Sequence, residues 1–62
     1  MLAKVLLLEK YQVWHVWYDA EMVGQFLVPF GTWVGEEHYI HFLPKGYDGS
    51  KIVLSYSGSV TI

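Results

Sequence analysis

Three histidines and six carboxylates are the side chains of this 62-residue sequence that could ligate a metal or move a proton. His38 and His41 stand three apart beside Glu36 and Glu37, and His15 lies well upstream. On a helix that spacing puts both imidazoles on one face, where they could chelate a divalent ion. On a strand an odd separation sends them to opposite faces, and the site dissolves. Glu37 to Leu43 reads as a strand, so surface or hydrogen-bonded histidines are expected and no metal site. Nucleophilic chemistry would need a hydroxyl held beside a base with a third group orienting it. The hydroxyls instead cluster between Ser50 and Thr61, in a segment whose composition suits strand and turn. Gly46-Tyr47-Asp48-Gly49-Ser50 lacks the Lys-Ser pair and the helix of a phosphate-binding loop. The acids show no paired spacing that would mark a general acid and base. The sequence therefore predicts neither an enzyme nor a bound cofactor.

The chemistry that remains is aromatic contact. The chain carries three Trp, five Tyr and three Phe against only four Lys and six acids. Tyr11, Trp14, Trp17 and Tyr18 crowd one short stretch, and Phe26, Phe30, Trp33, Tyr39 and Phe42 follow. Trp and Tyr dominate interface hot spots, because they bury a large area at low entropy cost. Trp14, Trp17, Trp33, Tyr39 and Tyr11 are accordingly the predicted partner-binding residues, with Glu36, Glu37 and His38 as a secondary set. The leading reading is a non-enzymatic protein-interaction module, of the kind that viral or accessory proteins use to inhibit or adapt a host protein. The alternative is a small-ligand or carbohydrate site in which an exposed Trp stacks on a sugar ring. That reading demands a flat Trp platform on the isolated chain.

Charge argues against a third reading, the binding of single-stranded nucleic acid. The sequence has no Arg, and Lys4, Lys10, Lys45 and Lys51 are scattered within a net charge of −2. Phosphate binding draws most of its affinity from clustered positive charge, which is missing here. Exposed aromatics could still stack on bases, so this reading stays third.

These side chains need elements to hold them. Turn signals fall at Asp19-Ala20-Glu21, Pro29 to Thr32, Gly35-Glu36, Pro44 to Ser50 and Ser57-Gly58. Between them lie segments rich in Val, Ile, Tyr, Trp and Phe, the composition of strands. Strands are predicted at about 2–8, 11–18, 22–28, 37–43, 51–55 and 59–62. The loop from Pro44 to Ser50 reads as a hairpin connection turning at Asp48-Gly49. A three-residue loop at Tyr56-Ser57-Gly58 would set Leu54 opposite Val60 and Ile52 opposite Ile62, all four on one buried face. The predicted fold is all-β, a single domain over 1–62 formed as a small curled antiparallel sheet or barrel. In size and strand count, five to six, it resembles SH3-like and OB-like barrels, an analogy of architecture alone.

Residues 11–18 are apolar on both faces, which predicts a strand covered on both sides or one that serves as an interface. One helix over 2–18 is the competing reading, since no Gly or Pro interrupts it, but its Val and aromatic content weighs against it. A core this small supplies only about 3–5 kcal/mol, and such chains are commonly reinforced by disulfides, metals or association. With no Cys in the chain, a homo-oligomer is the expected reinforcement. No apolar run is long enough to span a bilayer. The first residues do not read as a secretory signal, so a cytoplasmic setting, in a cell or an infected host, is the expectation.

Overall fold

The computed structural model describes residues 8–62. Three antiparallel strands form one open sheet in the order β2-β1-β3, with β1 (Lys10–Tyr18) in the centre. β2 (Glu21–Pro29) lies on one side of it and β3 (Ile52–Thr61) on the other. No α-helix occurs among the described residues. The chain from Glu36 to Lys51 instead makes three short 3-10 turns, at Glu36–His38, Ile40–Phe42 and Gly49–Lys51.

β1 and β2 are joined by the two-residue loop Asp19-Ala20, both of whose residues have positive φ, 52° and 67°. That is the signature of a type I′ turn, whose twist matches that of the strands it joins. Each pairing carries one extra residue on the outer strand. Gly24 faces Val16 while Met22 faces Trp17, which leaves Val23 without a partner. Gly58 faces Val13 while Tyr56 faces Trp14, which leaves Ser57 without one. Gly58 accommodates this second bulge at φ 136°, a conformation that L side chains rarely adopt.

Side chains of β1 alternate between two faces. Val16, with Phe26 and Val28 of β2, forms the buried core on the face that also carries Trp14. The segment after β2 folds over this face, and Val34, Tyr39, Phe42 and Leu43 pack against the core beside Ile52 and Leu54. Gly24 permits this covering, because a Cβ there would overlap the Phe42 ring. Asp48 caps the last 3-10 turn by accepting from the Ser50 amide (3.0 Å) and hydroxyl (2.8 Å). These two hydrogen bonds stabilise the carboxylate and lower the Asp48 pKa below its ordinary value.

Several expectations are corrected. The sheet is open and three-stranded, not a closed barrel of five to six strands. Residues 37–43 are 3-10 turns: Tyr39, Phe42 and Leu43 sit at i, i+3 and i+4 and lie together on the core. The connection turning at Asp48-Gly49 therefore joins no strand pair. Residues 51–62 hold one strand rather than a hairpin, because β1 offers its whole second edge as a partner. Leu54 pairs with Val16 and Val60 with Tyr11, which puts Leu54 and Val60 on opposite faces. Ile52 and Leu54 join the core, while Val60 and Ile62 are exposed. Lys10–Tyr18 is strand, which overturns the helix reading for those residues. The strand expected at 2–8 lies outside the described residues, apart from Leu8.

Candidate binding groove

At the end of the covered face, the chain leaving β2 turns back beside β1 and leaves a groove of about 440 Å3. Gln12 and Trp14 of β1 line it, together with Phe30, Gly31, Thr32, Trp33 and Val34. The Thr32 amide donates to the Pro29 carbonyl (3.0 Å), closing a turn in which Gly31 takes φ 86°. Gln12 then fixes this turn to the sheet. Its Nε2 donates to the Pro29 carbonyl (3.2 Å) and the Thr32 carbonyl (3.0 Å), while its Oε1 accepts from Trp14 Nε1 (3.1 Å). One amide side chain thereby sets both the loop and the plane of the Trp14 indole.

Trp14 is further held by Tyr56 of β3, edge to face, with ring centroids 5.5 Å apart. Trp33 stands in the opposite condition, 93% exposed. Lys10 lies at the rim, its ammonium 4.4 Å above the Phe30 ring. The lining is thus largely apolar, the amide of Gln12 is engaged, and the cation beside it is neutralised by no carboxylate in the lining.

The structure separates the residues singled out in the sequence. Trp14 and Trp33 share the groove. Tyr11 and Trp17 lie on the other face of the sheet, in register with Val60 and Val53. The Trp17 indole donates to Ser55 Oγ (3.1 Å). The Tyr11 hydroxyl donates to Glu9 (2.9 Å), and this carboxylate raises the Tyr11 pKa by disfavouring the phenolate. Tyr39 packs on the core, 6.2 Å from the Phe26 ring centroid.

Glu36, Glu37 and His38 form the first 3-10 turn rather than part of a strand. His38 Nδ1 accepts from the Gly35 amide (2.9 Å), and the ring stacks on Phe26 at 6.0 Å. Glu37 comes to 3.9 Å of the same nitrogen, but its carboxylate is largely exposed and the contact contributes little. His41 lies against Phe42 and His15 sits on the other face, so the three imidazoles have separate neighbours. No cluster of three His, Cys, Asp or Glu suited to a metal occurs among the described residues. No helix among them is long and apolar enough to cross a membrane.

Gln12, Phe30, Thr32 and Val34 line the groove with side chains that were not among the predicted binding residues. The Pro-Phe-Gly-Thr turn signal marked their neighbourhood, but nothing local shows that Gln12 reaches across to it. The chain matches no family model, no curated protein and no solved structure.

Proposed function

We propose that this protein is a non-catalytic interaction module whose groove, walled by Trp14, Phe30 and Trp33, takes a short apolar segment of a partner protein. The observation that carries the reading is the 93% exposure of Trp33 beside a ready-formed groove. An indole left in water contributes nothing to the core of its own chain and much to an interface that covers it. The turn beneath it is already pinned by Gln12, so binding orders little new structure. A cytoplasmic accessory role, blocking or adapting a larger protein, is the setting in which such a module fits best.

Trp33 also meets the demand of the carbohydrate reading, an exposed platform on the isolated chain. The groove disfavours that reading, because a sugar needs several hydrogen-bonding groups and Gln12 is already committed to Pro29, Thr32 and Trp14. Single-stranded nucleic acid ranks third, since Lys10 alone is a weak electrostatic footprint.

A selection of displayed peptides against the immobilised chain, run beside a glycan array, separates these readings. Peptides that compete with one another and lose roughly 30-fold or more in affinity to Trp33→Ala are expected, a loss of about 2 kcal/mol. Folding stability of that variant should stay within about 0.5 kcal/mol, as for other exposed positions. Binding of glycans alone, lost in Trp33→Ala, would replace this proposal by the carbohydrate one.

A further inference from the structure

The face of the sheet opposite the groove carries Tyr11, Val13, His15 and Trp17 of β1, with Met22, Gln25 and Leu27 of β2 and Val53, Ser55 and Val60 of β3. No described residue folds over it. Val53 is 57% exposed and Met22 50%, and Leu27 and Val60 are exposed as well. An apolar sheet face of this extent marks an interaction surface. We infer that it is covered by the same face of a second copy, giving a two-fold dimer in which two three-stranded sheets stack as a six-stranded sandwich. This inference is separate from the groove, which lies on the covered face.

Three properties of the face favour a copy of itself as the occupant. Its middle is neutral: between the rows of Tyr11 and Trp17 it holds no Lys, Asp or Glu, so two copies meet without like-charge repulsion despite the net charge of −2. The indole donor of this face is already satisfied, since Trp17 donates to Ser55 within one chain. Water can therefore leave without stranding that donor. The outer strands, in contrast, are poor templates for sheet extension, because β2 and β3 both carry a bulge. Stacking, not edge pairing, is the association that the backbone permits.

The dimensions suit such a contact. Three strands spaced about 4.8 Å and some 30 Å long give a footprint of roughly 430 Å2 per protomer. Side-chain relief carries the accessible area above that, toward the low end of the roughly 800 Å2 per partner of specific interfaces. The dimer should accordingly form in the micromolar range.

A two-fold axis through the centre of the face lays β1 over its own copy and brings both His15 rings to the middle of the contact. The side chains that surround His15 on this face are Val13 and Trp17 from β1, Gln25 from β2 and Ser55 from β3. None of them is acidic, and Glu9 stands at the far end of the face, bonded to Tyr11.

Sedimentation equilibrium of the full chain tests this. Twice the chain mass of 7.2 kDa is expected at micromolar concentration. Leu27→Glu should give a monomer with an unchanged far-ultraviolet spectrum, while Trp33→Ala should still dimerise. A mass of 7.2 kDa at every concentration, or a dimer indifferent to Leu27→Glu, would overturn the proposal. A monomer that dimerises only after removal of residues 1–7 would also overturn it, and would make that segment the occupant.

Discussion

Gln12 and Ala20 show how much rests on single residues in so small a sheet. Gln12 uses both ends of its amide, and no other side chain of the groove ties the Pro29 to Thr32 turn to β1 while orienting an indole. Ala20 is the opposite case, a residue at odds with its own backbone. At φ 67° its Cβ crowds the carbonyl, a cost of roughly 1–2 kcal/mol that glycine avoids. Replacing it by Gly would complete the Asp-Gly pair that type I′ turns prefer. Part of the gain is offset by the freedom Gly adds to the unfolded chain. Ala20→Gly is therefore expected to stabilise the protein by about 0.5–1 kcal/mol and raise Tm by several degrees. Thermal unfolding followed by circular dichroism measures it, and an unchanged or lower Tm would show that the turn is not under strain.

At the scale of elements, the contact between β2 and the segment that covers it decides whether the core stays closed. Gly24 is the point of closest approach, where a Cβ would overlap Phe42. Gly24→Ala should cost about 1–3 kcal/mol by overpacking. Pairing it with Phe42→Val should recover part of that loss, a coupling that urea titrations of the two single variants and the double variant would detect. Additive effects would mean that Phe42 does not bear on Gly24. The β1–β2 hairpin was legible in the sequence because its β-branched and aromatic runs flank a short polar turn. The covering segment was not, because Glu37 to Leu43 has the Tyr, Ile and Phe content of a strand and lies between two turn signals. Its i, i+3, i+4 set of Tyr39, Phe42 and Leu43 was the signal to follow. Gly58 was rightly marked as a backbone exception but wrongly as a turn, since a bulge and a hairpin ask the same residue for the same freedom. Composition predicted an aromatic surface, yet it could not separate Trp33 in the groove from Trp17 on the opposite face.

For the whole molecule, the division into two faces lets the two proposed contacts coexist. Stacked through the open face, two copies would turn both grooves outward, and a partner with two suitable segments would gain from binding them together. The strand order β2-β1-β3 also sets a sequence of events in time. β1 and β2 meet across a two-residue loop, whereas β1 and β3 can pair only after the whole stretch between Tyr18 and Ile52 has closed on itself. Closure entropy makes the second step the slower one. Ala20→Gly should then act chiefly on the refolding rate, and Leu54→Ala chiefly on the unfolding rate. Stopped-flow measurements giving the reverse would put the docking of β3 first. Every residue that lines the groove, from Gln12 to Val34, belongs to the early hairpin or to the loop directly after it. The recognition surface would thus take shape before the sheet is complete, with Tyr56 arriving last to lock Trp14 in place.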